Sequence, residues 1–259
     1  MNEIRKLADS IPLADGCTIA AVHPSGLVAI SKGEGKASHP NPDGKKCSPM
    51  VKAPYDFDGE FFFWDCGGQT KKLWLINRLD SPTSGIVLLS FDENSAKAAK
   101  DAFREHKVKK IYRAICVGQP PSRSGFWRDT LFERKLAGFV RSGALRAGSA
   151  SAKRAESKFF VEGFDKNNYA TCLIRLEPLT GLTHQLRVQC AKHNVPILGD
   201  ATYGNFNANR KIRNLSKIDR LFLHCSETAL TLQTPAGKID FRAAAPLPDS
   251  FKKILGYNK

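Results

Sequence analysis

The 259-residue sequence predicts an α+β fold in which a mixed, largely antiparallel central sheet is flanked by helices. Short apolar runs bounded by glycine, proline and other turn-forming residues recur along the chain, as is typical of strands. Helical patterns are fewer and do not alternate regularly with the strands, which argues against a parallel α/β sheet. No internal repeat or long linker divides the chain, so we expect an N-terminal arm at residues 1–14 and a single domain at 15–259.

The N-terminal region predicts an arm, a hairpin and a long loop. Ile4, Leu7 and Ile11 recur at helical spacing, so the arm is amphipathic or forms a short helix. The segments C-T-I-A-A-V-H and L-V-A-I-S-K surround the turn-forming P-S-G and predict a β-hairpin. Residues 33–58 are rich in Gly, Pro and Lys, and we expect a surface loop there that can include a short helix.

The stretch at residues 73–90, L-W-L-I-N-R-L-D-S-P-T-S-G-I-V-L-L-S, is the one around which we expect the chain to be organised. Its apolar runs at 73–76 and 86–89 predict buried strands, and the proline, serine and glycine between them predict a turn. Asp80 stands in that turn. From this stretch alone, Asp80 is either a turn residue bonded to its own backbone or a functional carboxylate oriented by hydroxyls and amides.

The second half of the chain predicts further strands and three helices. The predicted helices begin at Asp92 or Asn94 and end near His106, extend from Thr183 to His193, and close the chain. The predicted strands lie at 108–118, 127–132, 155–162, 170–177, 221–225, 228–232 and 239–241. We expect a hairpin tip or flexible loop at 134–154 and a polar, basic connection at 205–220.

The charge balance indicates a polyanionic partner. The sequence has 40 Lys and Arg against 25 Asp and Glu, a net charge of +15, and nucleic acid is the commonest soluble polyanion. The alternative is a merely basic surface. There is no signal-peptide pattern and no apolar run near the roughly 18 residues of a membrane span. The 7 cysteines include no C-x-x-C pair, so we expect a cytoplasmic protein without disulfide framework, metal or membrane association.

Four segments, in order, resemble the signatures of the RluA family of pseudouridine synthases. N-R-L-D-S-P-T-S-G-I-V-L-L resembles H-R-L-D-x-x-T-S-G-L-L-L-L, and G-L-V-A-I-S-K-G-E-G-K-A-S-H-P is similar to the segment N-K-P-x-G-x-x-V-H-P. V-K-K-I-Y-R-A-I-C-V-G resembles K-x-Y-x-A-x-V-x-G. P-L-T-G-L-T-H-Q-L-R-V-Q, followed by P-I-L-G-D-A-T-Y-G, resembles P-x-T-G-R-T-H-Q-I-R-x-H and P-I-x-G-D-x-x-Y-G. R-L-F-L-H-C at 220–225 also matches, so the resemblance covers about residues 25–225.

The resemblance implies the pseudouridine synthase fold with a basic cleft, and the isomerisation of uridine in transfer or ribosomal RNA to pseudouridine. It implies no cofactor and no metal, and we expect a monomer. By motif position, Asp80 is the catalytic aspartate, Tyr112 the active-site tyrosine and Arg187 the arginine that pairs with the aspartate.

These residue types suit the chemistry. A carboxylate can attack the sugar or the base when a glycosidic bond breaks, or stabilise a cationic sugar. A bidentate arginine keeps that carboxylate ionised. Extruding a uridine from folded RNA costs a few kcal/mol. A tyrosine that stacks on the extruded base returns about 1–3 kcal/mol.

The chain departs from the family pattern at three motif positions. Asn77 replaces the histidine before R-L-D, Leu182 replaces an arginine, and Gly33 replaces a proline. We also expect no separate N-terminal RNA-binding domain, so RNA contacts should come from the catalytic domain. The candidate RNA contacts are Arg78, Lys107, Lys109, Lys110, Arg113, Arg141, Arg146, His184 and the segment 210–220.

Other readings remain open at this point. Tyr112 could be a half-buried core aromatic, Arg187 a solvated helix arginine, and Asp200 is predicted to be a turn or packing residue. The whole protein could be an RNA-binding assembly factor with this fold. It could also be a uridine glycosidase, a chemistry that calls for a second carboxylate.

Overall fold

The computed structural model describes residues 2–41, 48–136, 139–143, 152–234 and 237–256. The helices are α1 (Asn2–Asp9), α2 (Glu93–Arg104), α3 (Gln185–Lys192), α4 (Phe206–Ser216) and α5 (Asp249–Leu255). The strands are β1 (Thr18–Val22), β2 (Leu27–Lys32), β3 (Lys36–Ala37), β4 (Ser48–Pro49), β5 (Tyr55–Asp56), β6 (Phe61–Cys66), β7 (Gln69–Leu75), β8 (Ser84–Ser90), β9 (Lys109–Val117), β10 (Ser124–Leu136), β11 (Phe139–Gly143), β12 (Ala152–Phe164), β13 (Thr171–Pro178), β14 (Leu223–Thr234) and β15 (Gly237–Ala244). Within these ranges no helix is both long and apolar enough to cross a membrane.

The chain divides into two compact units. Unit 1 comprises Met1–Lys110 and Cys225–Ala245, and unit 2 comprises Ile111–His224 and Pro246–Lys259. The arm expected at the N-terminus contains α1, as the helical spacing predicts. The assignment of one domain to residues 15–259 stays a prediction.

Unit 1 is organised around β8. This strand pairs antiparallel with β2 and β7, while β1 continues the sheet beyond β2 and β6 continues it beyond β7. β14 also lies beside β8, and β15 pairs antiparallel with β14. Every residue of β8 is buried, because strands flank it on both edges and the sheet is covered on both faces. The turn that carries Asp80 therefore leads directly into the most buried strand of unit 1.

The glycine of the T-S-G in the central motif, Gly85, is required by the local backbone. Its φ is +115°, and a Cβ added there would lie 2.1 Å from the carbonyl oxygen of Cys225 in β14. Only glycine permits both the positive φ and the close approach of the two backbones.

Unit 2 contains the antiparallel strand order β11-β10-β12-β13-β9. Its core joins the apolar faces of β9 and β13 to α3 and α5, with Leu186 and Phe251 among the buried residues. Six consecutive residues of α3, from Gln185 to Cys190, are buried. Such a run covers more than one helical turn, so this part of α3 is enclosed on every side.

Much of the predicted order of elements is confirmed. β1 and β2 form the predicted hairpin, β12 and β13 are the predicted paired strands, and α5 closes the described chain. Asp92 is the cap of α2, and its side chain accepts from the Ser95 backbone N–H at 2.7 Å. In residues 33–41 and 48–58 the structure has short strands instead of a helix.

Two predictions about local structure are wrong. Residues 205–220 were expected to be a connection, but they contain the helix α4. Asn205 caps this helix, and Ile212 is the one buried residue among the 11 described residues of α4. Only four of the 11 residues of α4 are apolar, so the polar and basic composition led to the interpretation as a connection. The two strands predicted at 221–225 and 228–232 form one strand, β14. The polar residues between the two apolar runs suggested a break, but Ser226 is buried inside the continuous strand.

We predict that Gly85→Ala destabilises the protein by more than about 4 kcal/mol or prevents folding, because the new methyl group collides with the β14 backbone. Gly67→Ala is the control: Gly67 also has a positive φ, +62°, but open space surrounds it, so the cost should be about 1–2 kcal/mol. Urea unfolding monitored by circular dichroism measures both. Equal losses for the two variants would contradict the close approach.

Candidate active site

In unit 1, Asp80 lies half-buried in the turn between β7 and β8. The Thr83 backbone N–H donates to the Asp80 carbonyl oxygen at 2.9 Å and closes the turn. The buried Ser38 side chain binds the residue before Asp80 twice: its hydroxyl donates to the Leu79 carbonyl and accepts from the Leu79 N–H, both at 3.0 Å. The backbone on the N-terminal side of Asp80 is therefore fixed by a residue from another segment.

Lys32 fixes the other side of Asp80. This lysine is 1% exposed, and its ammonium donates to the carbonyl oxygens of Gly33 at 3.1 Å, Lys36 at 2.7 Å and Ser81 at 3.0 Å. A buried ammonium is costly unless its donors are satisfied, and three carbonyl acceptors match its three protons. Lys32 thus binds the backbone of the residue that follows Asp80. Lys32 lies in one of the segments that resemble the family, but no role was predicted for it from the sequence.

Arg78 lies exposed two residues before Asp80. Its Nη1 is 3.1 Å from Nε2 of His39. A guanidinium can only donate, so Nε2 accepts, and the proton of the neutral ring sits on Nδ1, which donates to the Pro40 carbonyl at 2.6 Å. The His39 ring stacks on Tyr55 at 5.4 Å. The Arg78 guanidinium is therefore oriented by His39, whose ring is in turn stacked on Tyr55.

In unit 2, Tyr112 is half-buried on β9 and packs against the apolar core of that unit. Its neighbour Arg113 makes a bidentate pair with Glu162, with Nε–Oε2 at 2.7 Å and Nη2–Oε1 at 3.1 Å. This pairing offsets part of the charge expected for RNA contact. The partly packed environment of Tyr112 is compatible with both readings of that residue, so its catalytic role stays a prediction.

Arg187 and Asp200 form a buried ion pair. They are 6% and 1% exposed, with Nε–Oδ2 at 2.8 Å and Nη2–Oδ1 at 2.9 Å. Asp200 Oδ1 also accepts from the backbone N–H groups of Thr202 and Tyr203. Burial raises the pKa of Asp200, but the hydrogen bonds from Arg187 and the backbone outweigh it and hold the pKa below its ordinary value. Arg187 is thus not a solvated arginine.

Asp200 is a turn residue, as predicted, but its role as a partner of Arg187 was not predicted from the sequence. Both residues lie in the two family segments P-L-T-G-L-T-H-Q-L-R-V-Q and P-I-L-G-D-A-T-Y-G, which resemble the family as one unit. One arginine and one carboxylate, in two neighbouring segments with no other Asp, Glu, Lys or Arg, are the signal that could have indicated the pair. The pairing of Arg187 with the catalytic aspartate stays a prediction from the resemblance.

His184 begins α3 in the left-handed conformation, with φ at 55°, and its Nδ1 lies 3.1 Å from the Tyr203 hydroxyl. The side-chain oxygen of Gln185, Oε1, accepts from the Thr180 hydroxyl at 2.8 Å and from the Leu182 N–H at 3.1 Å. These bonds give His184 and Gln185 structural roles at the start of α3. Contact of His184 with RNA stays a prediction.

The remaining candidate RNA contacts differ in exposure. Lys109 is exposed, whereas Lys110 is half-buried, and burial lowers the pKa of Lys110. Lys107 is exposed and pairs with Glu105 at 2.6 Å. Arg146 lies outside the described residues, and only the backbone of Arg141, in β11, is described.

The three departures from the family pattern have local explanations. Asn77 Oδ1 accepts from the Leu88 N–H at 2.8 Å and ties the turn to β8. The Gly33 N–H, which a proline lacks, points at the Cys17 sulfur at 3.4 Å, and a Cβ at Gly33 would lie 2.8 Å from a backbone oxygen. Leu182 packs with Tyr203 against a small apolar cluster, so its methyl groups contribute to packing.

We predict that Asp200→Asn lowers the free energy of unfolding by about 3–5 kcal/mol at neutral pH, because the buried Arg187 loses the carboxylate that binds it in a bidentate pair. The pKa of Asp200 is lowered on folding, so its ionised form contributes stability above the unfolded value, near 3.8, that is lost as the pH falls through the lower folded value. Wild type should therefore lose more stability than the variant below about pH 4.

Urea unfolding across this pH range measures the difference between the two proteins. Asp219→Asn is the control, because the Asp219–Arg213 pair is exposed, at 71% and 51%, and should be worth at most about 1 kcal/mol. Parallel curves for wild type and Asp200→Asn would contradict the ionised pair.

Comparison with known proteins identifies the family. The sequence profile described as RNA pseudouridylate synthase matches residues 28–192. The chain is 29% identical over 256 residues to ribosomal large subunit pseudouridine synthase C of Pasteurella multocida, covering 99% of this chain and 70% of that protein. It is 30% identical over 203 residues to an uncharacterized RNA pseudouridine synthase of Haemophilus influenzae, covering 78% and 77% of the two chains.

Solved structures confirm the predicted α+β fold. Human RNA Pseudouridylate Synthase Domain Containing 4 superposes with a TM-score of 0.62 at 22% identity, covering 98% of this chain and 94% of that chain. Human RNA Pseudouridylate Synthase Domain Containing 1 gives a TM-score of 0.63 at 20% identity, covering 90% and 84%. The chain therefore belongs to the RluA family of RNA pseudouridine synthases, isomerases that convert uridine in RNA to pseudouridine.

Proposed function

We propose that this enzyme isomerises specific uridines in structured RNA, with Asp80 as the catalytic carboxylate. Ribosomal RNA is the first candidate substrate, because the Pasteurella relative is named for the large ribosomal subunit, and transfer RNA is the second. The observation that carries the proposal is the fixed turn around Asp80, which Ser38 and the buried Lys32 hold on either side. A reacting carboxylate needs such fixed positioning.

The reaction requires no net change in atoms. The C1′–N1 bond of the uridine breaks, the base turns, C5 bonds to C1′, the C5 proton leaves, and N1 takes up a proton. Asp80 attacks either the sugar or the base, or stabilises the cationic sugar while the base turns. The RNA mass is unchanged, whereas a glycosidase would release the base.

The other roles follow from motif position and from the observed environments. Tyr112 stacks on the extruded uracil, and its partly packed ring supports this because a fixed aromatic loses little freedom on stacking. Arg187 supplies the positive charge that keeps the aspartate ionised. Its orientation is fixed by the bidentate pair with Asp200, while its pairing with Asp80 is supported by the resemblance alone.

Arg78 is proposed to contact RNA beside the reacting uridine. Its guanidinium is exposed, and the bond to His39 and the stacking of His39 on Tyr55 direct it. Burial raises the pKa of Tyr55 to about 12, so the ring that supports His39 is an uncharged phenol.

Wild type, Asp80→Asn and a matched control, Asp58→Asn at an exposed aspartate, can be incubated with unmodified ribosomal and transfer RNA. Pseudouridines are then mapped by carbodiimide-stop primer extension. We expect stops with wild type and Asp58→Asn and none with Asp80→Asn, and the stops name the RNA. If wild type binds RNA but produces no stops on any RNA, the proposal is contradicted and the assembly-factor alternative is favoured.

We predict that Lys32→Met slows the reaction by about 10²-fold, because the backbone beside Asp80 loses its anchor and the carboxylate moves. It should also lower stability by about 1–3 kcal/mol for each carbonyl left without a donor. The control is Lys36→Met, whose ammonium bonds the Ser48 hydroxyl in an exposed position. Single-turnover rates and urea unfolding measure both variants. A Lys32→Met enzyme with the wild-type rate would refute the positioning role.

A further inference from the structure

A small cleft lies on the surface of unit 2, between α4 and the segments 198–201 and 218–222, with a volume of about 200 Å³. Its floor is apolar, formed in part by the buried side chains of Ile212 and Phe222. None of the residues to which the motifs assign a catalytic role lines this cleft. It is a feature that the proposed reaction does not use.

An aromatic ring stands at the edge of the cleft. Phe206, the first residue of α4, lines the cleft and is 62% exposed. A single exposed aromatic residue is ordinary, but this one is on a fixed element. Asn205 caps α4 by accepting from the Ala208 N–H at 3.0 Å, and the Asn209 side chain accepts from the Gly199 N–H at 2.9 Å and donates to the Asp200 carbonyl at 3.2 Å. The helix start that carries the ring is therefore fixed before any ligand arrives.

Positive charge surrounds the ring. The residues of α4 include no acidic side chain, and exposed cations follow the helix at Arg210, Lys211, Arg213 and Lys217. Asp219 pairs with Arg213 at 3.2 Å, but both are largely exposed and such a pair is worth little, so a phosphate can replace it. The back of the cleft is lined by Arg220, which is 8% exposed and donates to the Ser250 hydroxyl at 3.1 Å.

These features together fit one kind of ligand. Single-stranded RNA is bound by aromatic side chains that stack on unpaired bases and by cations that contact phosphates. The Phe206 ring beside the apolar floor can stack on an unpaired base. Arg210 and Arg213, which also line the cleft, can contact the phosphates of the RNA backbone. A protein partner with an acidic surface would need the cations but not the exposed ring and the cleft.

We propose that the α4 surface, comprising Phe206, Arg210, Arg213 and the cleft they line, binds an unpaired nucleotide of the substrate RNA other than the uridine that is isomerised. This inference rests on the proposed action on structured RNA, and it assigns α4 to substrate capture. The enzyme thereby reads a feature of RNA shape, an unpaired base, in addition to the target uridine.

Binding can be measured without turnover, which separates this inference from the proposed catalytic function. The probes are a short fluorescent single-stranded oligouridylate and a fluorescent RNA duplex of the same length. Fluorescence anisotropy, measured as the 259-residue protein is added, gives the Kd for each probe. Phe206→Ala is expected to raise Kd for the single strand about 5- to 100-fold and to affect the duplex less. Arg210→Ala is expected to reduce the slope of log K against log salt by about 0.7.

The variants include controls for folding and for general charge. Phe206→Trp should restore single-strand binding, because indole stacks on bases as phenyl does, whereas a merely structural role would not be rescued by a larger ring. Leu215→Ala, at an exposed apolar residue of α4 outside the cleft, and Lys97→Ala, at an exposed lysine of α2, should bind as wild type does. Wild-type affinity of folded Phe206→Ala and Arg210→Ala, or equal weakening of strand and duplex by Phe206→Ala, overturns the proposal.

Discussion

The buried ammonium of Lys32 is the interaction on which the arrangement of the Asp80 turn depends. Moving an ammonium out of water costs several kcal/mol, and three backbone carbonyls, one of them from Ser81, compensate for it. These bonds are specific in direction, so the turn cannot shift without leaving the charge unsatisfied. Ser38 and the approach of Gly85 to β14 restrict the same turn from other sides. The carboxylate of Asp80 is consequently attached to a backbone with little freedom, as a reacting group requires.

Unit 2 uses a related solution for Arg187. A guanidinium at 6% exposure is held by both oxygens of Asp200, which the Thr202 and Tyr203 amides orient in turn. The bidentate geometry fixes the plane of the guanidinium as well as its position. In each unit, then, a buried cation is directed by several acceptors. Such groups contribute modest net stability, and their main consequence is a defined local geometry.

The motifs and the strands were accessible from the sequence because they depend on local pattern. Alternation, turn residues and the cap at Asp92 predicted the hairpins and α2, and the motif resemblance led to the family and to Asp80. Lys32 was not assigned a role, because its Ser81 partner is 49 residues away and such contacts leave no local signature. The Arg187–Asp200 pair was missed for a different reason: the resemblance assigned Arg187 to the catalytic aspartate, and Asp200 was predicted to be a turn or packing residue. α4 was missed because most of its residues are polar or basic, and two of its apolar side chains, Phe206 and Leu215, are exposed to solvent.

The most direct test of the account is the single-turnover release of tritium from RNA labelled at uridine C5, since C5 gives up its hydrogen when it bonds to C1′. We expect rapid release by wild type and a rate at least about 10⁴-fold lower for Asp80→Asn, with RNA affinity retained. Release by Asp80→Asn at a rate near that of wild type would contradict the assignment of Asp80 as the catalytic carboxylate.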